Sequence, residues 1–130
     1  MNWLILTILS TAFWATVALA ETIDPNITPT KVLTCDMPVE REDGTALAID
    51  EIAQVQFFVS PDQTTWTQAG TNTVCSQSYD LSNVQDGTYF YTASVTDLAG
   101  RQSILAPQAA ELIVKRIASP APPSNLGWTD

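Results

Sequence analysis

The chain has few side chains with which to do chemistry: fourteen carboxylates, five cations, two cysteines and no histidine. Acid–base or nucleophilic catalysis needs a base held beside a nucleophile, and without histidine only carboxylates and hydroxyls scattered over turn-rich segments remain. Ser-x-x-Lys does not occur, and neither does a Gly-rich phosphate cradle or a Cys-x-x-Cys pair. We therefore expect a protein that is not an enzyme, with no catalytic residue and no cofactor. The densest ionisable run is Glu40-Arg41-Glu42-Asp43, continued by Asp50 and Glu51. Hard cations take several convergent oxygens from a flexible loop, which makes this run the one place to weigh a calcium site. Its spacing does not match a helix-loop-helix calcium signature, so we read it as a solvated charge run that Arg41 partly neutralises.

Cys35 and Cys75 both sit in apolar or β-branched surroundings, Val32-Leu33-Thr34-Cys35 and Thr73-Val74-Cys75. In an exported chain, two such cysteines suggest one structural disulfide. Closing a loop of about forty residues restricts the unfolded chain by an amount on the order of 4 kcal/mol. A metal-binding or reactive pair would need further ligands or a setting that lowers a thiol pKa.

Export itself is read from the first twenty residues. Met1 to Ala20 carries no charge, is mostly apolar and ends in Ala18-Leu19-Ala20, the small-x-small pattern that a signal peptidase cuts. No Lys or Arg precedes the apolar run, so the terminal amine alone supplies the positive end. The alternative is a retained anchor, since residues 3 to 20 as a helix span roughly 27 Å. Thr7, Ser10, Thr11 and Thr16 weaken that alternative, and membrane contact is expected only if the segment is kept. Export places the mature chain in the periplasm, in the medium, on the cell surface or in a virion.

Cleavage would leave 110 residues, enough for one compact domain, and all of the net charge of −9 lies in that part. This charge repels phosphate backbones, and no basic stripe with interleaved aromatics offsets it, so nucleic acid is not an expected partner. An acidic exterior mainly confers solubility; its sharper meaning is capture of cations or of a basic partner.

Hydrophobic alternation supplies the elements. Leu81 to Asp97 is a Gly-centred turn running into a strand with Tyr89, Tyr91, Ala93 and Val95 facing inward, because successive strand residues point to opposite faces. Further strands are expected over Thr30–Cys35, Ile52–Ser60 with Val55, Phe57 and Val59 alternating, Thr65–Ala69 carrying Trp66, Val74–Leu81 and Ala110–Ile117. In the first, Lys31, Leu33 and Cys35 share one side and Val32 and Thr34 the other, with the buried side left open. Turns are expected at Ser60-Pro61-Asp62, Gly70-Thr71-Asn72 and Asp97 to Gly100, and a long loop over Val39 to Asp50. No mature segment shows a helical apolar period. Glu21 to Pro29, with an Asn-Ile-Thr sequon at Asn26, reads as an extended entry with at most a short edge strand. Ser119 to Asp130, with Pro120, Pro122 and Pro123, reads as a flexible or polyproline-like tail. Trp128 stands out there: it is incidental, docked on its own domain, or an anchor for a partner.

Short strands at regular intervals with turns between them imply an all-β, two-sheet antiparallel sandwich behind the apolar leader. The order Leu33-Thr34-Cys35-Asp36-Met37-Pro38, Arg41 to Thr45 with Ile52, Ser60-Pro61-Asp62 before Trp66, then Tyr79, Leu81, Gly87-Thr88-Tyr89 and Val95 resembles a fibronectin type III domain of exported bacterial and phage proteins. The resemblance covers roughly Thr28 to Ile117. With the leader at 1–20, the entry segment at 21–29 and the tail at 118–130 read from the residues above, it implies an immunoglobulin-like domain at 30–117, with Phe57, Tyr89, Tyr91 and Val95 in the core. Family members carry a core Trp where this chain has Cys35. The family's topology sets that strand against the one containing Cys75, which implies a cross-strand disulfide whose sulfur fills part of the missing indole's volume. Tyr89 matches the tyrosine-corner position, bonding a buried backbone group, although the spacing from Val84 leaves Tyr89 and Phe90 as alternatives.

The resemblance further implies a recognition surface on loops at one end, Pro38–Asp50, Gly70–Val74 and Asp97–Ser103, with Glu40, Glu42, Asp43, Asp97 and Arg101 as candidate contacts. A protein partner is the first expectation. A structural subunit of a virion or surface assembly, using the leader, entry segment or tail, is the second. Carbohydrate stacking on Trp66, Tyr79 or Trp128 is the third.

Overall fold

The computed structural model describes Ala20 to Asp130, so the leader or anchor expected at residues 1–20 falls, but for Ala20, outside the described residues. The described residues are mostly strand: β1 (Glu21–Ile23), β2 (Thr30–Thr34), β3 (Ile52–Ser60), β4 (Thr67–Asn72), β5 (Ser76–Asp80), β6 (Gly87–Asp97) and β7 (Ala110–Val114). They form a five-stranded sheet in the order β1-β7-β6-β3-β4 and a two-stranded sheet of β2 and β5. The two sheets pack face to face, the arrangement of a β-sandwich.

The alternating segments behave as their period requires. Val55 and Phe57 of β3 are wholly buried, and Tyr91 of β6 and Leu112 and Val114 of β7 join them inside. One cluster gathers Ile23, Leu81, Tyr91, Leu112 and Val114, a second gathers Val55, Phe57 and Cys75, and Leu33 packs against both. Val95 and Ala93 are half-buried against the second cluster, and Tyr89 is half-buried against the first. The side of β2 that turns inward is therefore the Leu33 side, and Val32 is exposed.

Several expectations need correction. The strand after Trp66 is Thr67–Asn72 rather than Thr65–Ala69, and Gly70 to Asn72 belongs to it instead of forming a turn. The register of β3 against β4 slips between Phe57 and Phe58, and Gly70, at φ +156°, carries the chain past Gln77, where a Cβ would come within 3.1 Å of that side chain. A glycine that reads as a turn signal is here the residue that lets a bulged strand pass close to its neighbour. The sandwich is also not wholly antiparallel, since β1 pairs parallel with β7, Glu21 opposite Leu112 and Ile23 opposite Val114. The entry segment reaches this edge because Ile23 buries its side chain in the first cluster and its carbonyl accepts the Lys115 N–H at 2.9 Å.

The cysteines pair as expected, but they fill the core differently. Cys35 and Cys75 are bonded, with Cα atoms 5.1 Å apart, and the Cys35 N–H donates to the Cys75 carbonyl at 3.0 Å. The pair thus adds one rung to the β2–β5 ladder beyond Thr34 and Ser76. Only Cys75 enters the core, beside Val55 and Phe57; Cys35 is exposed, and Leu33 and Met37 fill the remaining space. The Tyr89 hydroxyl donates to the Gln85 carbonyl at 2.8 Å, a bond Phe90 has no group to make. That bond is solvent-exposed, not buried, so it fixes the turn into β6 without rescuing an interior group.

Phe57→Ala should lower unfolding free energy by about 3–5 kcal/mol, as truncation of a fully buried aromatic does. Reducing the Cys35–Cys75 bond should cost about 2–4 kcal/mol. Urea titrations of the variant, and of the native chain with and without reductant, check both values.

Candidate functional site

Antiparallel pairing brings the end of β2, the start of β3, the end of β4, the start of β5 and the end of β6 to one pole of the sandwich: Ile52 lies opposite Asp97, Val55 opposite Asn72 and Thr34 opposite Ser76. The loops at residues 35–51, 73–75 and 98–109 consequently share that pole. The last returns along the open edge of β6. Ser103 N–H donates to the Val95 carbonyl at 2.8 Å and Ala106 N–H to that of Ala93 at 2.9 Å.

The return also covers the outer face of the sheet, where polar side chains are buried and must find partners. Gln56 Nε2 donates to Thr96 Oγ1 at 2.6 Å, Ser94 Oγ to Gln56 Oε1 at 3.3 Å, and Gln102 Nε2 to Ser94 Oγ at 2.8 Å. This network holds the base of the loop.

Asp97 holds its crest. Its side chain is 6 % exposed, and both oxygens are engaged. Oδ1 accepts the backbone N–H groups of Ala99 at 3.0 Å and Arg101 at 2.9 Å, while Oδ2 accepts Arg41 Nη1 at 2.7 Å and Arg101 Nε at 2.8 Å. Gly100 completes the turn at φ +83°, a left-handed conformation that favours glycine. The Arg41 hydrogen bond, followed by those from Arg101, holds the Asp97 carboxyl well below the usual carboxylate range. Reciprocally, the bond to Asp97 raises the Arg41 guanidinium above its ordinary value. Arg41 also reaches Glu51 at 3.5 Å, and Leu98 N–H donates to the Glu51 carbonyl at 2.9 Å.

Other carboxylates divide by whether they are occupied. Asp43 Oδ1 accepts the Thr45 hydroxyl at 2.6 Å and N–H at 3.0 Å, which lowers its pKa and caps the turn at Gly44. Glu42 Oε1 accepts the Ile104 N–H at 2.7 Å and so ties the first loop to the third. Among the described residues, the side chains of Asp36, Glu40 and Asp50 make no hydrogen bond or ion pair.

Glu40, Glu42, Asp43, Asp97 and Arg101, the candidate contacts, all line one cleft of about 510 Å³, with Arg41, Val95 and Ile104 among its other walls. Asp97 and Glu42 are committed to the scaffold, however, so the charge this pole offers to solvent comes chiefly from Glu40 and its unpaired neighbours. Sequence reading missed a second component, the exposed apolar side chains of Val39, Ile49, Leu98 and Ile104. Their signal was short aliphatic clusters within the loops, such as Leu47-Ala48-Ile49 and Ile104-Leu105-Ala106, which alternation does not detect.

The aromatics named for stacking are dispersed in role. Tyr79 is turned between the sheets against Tyr91, ring centroids 5.1 Å apart, Trp66 is half-buried ahead of β4, and Trp128 is fully exposed. Among the described residues no cluster of three or more His, Cys, Asp or Glu is arranged to hold a metal, and no helix is long and apolar enough to cross a membrane.

A carboxyl whose pKa is lower folded than unfolded stabilises above its unfolded pKa, and that contribution is lost as pH falls. Stability should accordingly hold from neutrality to about pH 4 and drop below it. Asp97→Asn should be less stable at pH 7 and lose less between about pH 4 and pH 2 than the native chain; Asp62, lowered strongly by the Thr65 and Thr64 N–H groups, and Asp43, Asp80 and Asp86, also lowered, leave part of the slope. Urea midpoints across that range check it. No protein-family model, curated protein or solved structure matches the chain.

Proposed function

We propose that the chain is an exported, non-enzymatic binding module of fibronectin type III type, recognising a protein partner through the loop pole. One observation carries this reading: Val39, Ile49, Leu98 and Ile104 stand exposed among unpaired carboxylates, on loops fixed by the Asp97 clamp and the Gln56–Ser94–Gln102 network. Exposed aliphatic groups on rigid loops are what an interface buries, and a prearranged surface loses less conformational freedom on binding. The family reading draws support from the facing β2–β5 and β7-β6-β3 strands and from the tyrosine hydroxyl bonded back across the turn into β6. Export draws support from the disulfide, which is more typical of an oxidising compartment.

A second reading, a structural subunit of a virion or surface assembly, is favoured by the extended tail with Leu126 and Trp128 wholly in solvent.

The test is capture of partners from the native source by immobilised protein. Val39→Glu combined with Leu98→Glu should abolish the capture seen with the native chain, while Val32→Glu, on the side of the sandwich, should leave it intact. Capture indifferent to the loop substitutions would contradict the proposal.

A further inference from the structure

The cleft at the loop pole combines two kinds of wall. The first loop contributes Glu40, Glu42 and Asp43, and the third contributes Ile104, Leu105 and Pro107. The Ile104 N–H, donating to Glu42 Oε1 at 2.7 Å, sets the acidic and the apolar wall side by side. The volume of about 510 Å³ lies within the roughly 300–1,000 Å³ of clefts that hold ligands.

Charge in this cleft is unbalanced. Asp97 takes both arginines that line it, Arg41 at 2.7 Å and Arg101 at 2.8 Å. Among the described residues no cation stands within ion-pair distance of Glu40, Glu42 or Asp43. Thr45 holds Asp43 and the Ile104 N–H holds Glu42, but both donors are neutral, so they fix the position of each carboxylate without cancelling its charge. The imbalance extends over the pole. Residues 35–51 and 97–109 together hold seven carboxylates and two arginines, which is −5 of the chain's net −9.

A bare cation would use only the carboxylates. A lysine or arginine side chain uses both walls, its aliphatic stem lying on Ile104, Leu105 and Pro107 while its charged head reaches Glu40 and Asp43. We propose that the cleft receives a lysine or arginine side chain of the protein partner, flanked there by aliphatic residues that cover exposed Val39 and Leu98, the sequence neighbours of Glu40 and Asp97. This inference rests on the reading of the loop pole as the binding surface and adds the chemistry of what that surface binds. Complementary charge of this kind speeds encounter, fixes orientation and is screened by salt.

Selection of random displayed peptides on the immobilised native chain is the test. The recovered peptides should carry Lys or Arg beside Leu, Ile or Val, and their affinity should fall as salt rises from about 50 mM to about 500 mM. Glu40→Gln combined with Asp43→Asn should weaken them roughly threefold to thirtyfold, the worth of two exposed ion pairs. Asp43→Asn keeps the oxygen that Thr45 uses, and an unchanged urea midpoint shows that the fold is kept; if the double variant does not fold, the salt dependence of the native chain decides. An equal loss of charge away from the pole, Glu111→Gln combined with Asp130→Asn, should leave affinity unchanged. Peptides without a cationic residue, affinity indifferent to Glu40→Gln with Asp43→Asn, an equal fall on the Glu111 and Asp130 substitutions, or no recovered peptide each overturn the inference. Where such peptides are still lost on Val39→Glu with Leu98→Glu, the loop pole remains the binding surface and only the partner's chemistry is wrong. Peptides indifferent to those two loop substitutions overturn both readings.

Discussion

Two strands must cover five, and much of the molecule follows from that mismatch. β2 and β5 are the whole of one layer among the described residues, and they are not a hairpin: the β3 and β4 strands separate them in sequence. A two-stranded ribbon is marginal by itself and gains stability from the surface it packs on. Leu33, Tyr79 and Cys75 provide that packing: Leu33 touches both clusters, Tyr79 packs against the first, and Cys75 is part of the second. The disulfide at Cys35 and Cys75 closes the ladder at the loop pole, and the Leu81 N–H, bonded to the Pro29 carbonyl at 2.7 Å, closes the other end. The small layer is thus held at both ends, while its side stays open as a pocket of about 110 Å³ beside Tyr79.

The pole and the side have different physics. At the pole, backbone donors and two arginines converge on one buried carboxylate, so the loops keep their shape while their aliphatic groups remain in water. Charge there is partly internal. Asp97 is cancelled by Arg41 and Arg101, and Glu42 serves a backbone N–H, whereas Asp36, Glu40 and Asp50 keep their charge unpaired. At the side, the interior is short of atoms instead of loops being short of contacts, and the Tyr79 hydroxyl, buried without a partner among the described residues, marks the deficit.

Legibility in sequence tracked how local the cause was. β3 was readable as Ile52–Ser60 because Val55, Phe57 and Val59 alternate between two clear breakers, and β6 because a turn leads straight into Tyr89 and Tyr91. β4 was misplaced because Gly70 has the same one-letter appearance in a turn and in a bulge, and only the passage of Gln77 distinguishes them. The parallel contact of β1 with β7 joins the two ends of the domain and has no local signature. The loop residues of the candidate site were nameable as loops, since acidic runs and Asp-Gly pairs mark turns. Which of them are free was not, because the Arg41–Asp97 bond spans 56 positions and turns an apparent contact residue into a strut.

Native-state hydrogen exchange tests most directly whether the small layer depends on its clasp. With the disulfide intact, amides of β2 and β5 should be protected nearly as well as those of β3 and β6. After reduction, protection in β2 and β5 should fall together and well before that of β3 and β6, the behaviour of one cooperative unit released from a stable sheet. Protection in β2 and β5 that is unchanged by reduction, or low even with the bond in place, would contradict the account.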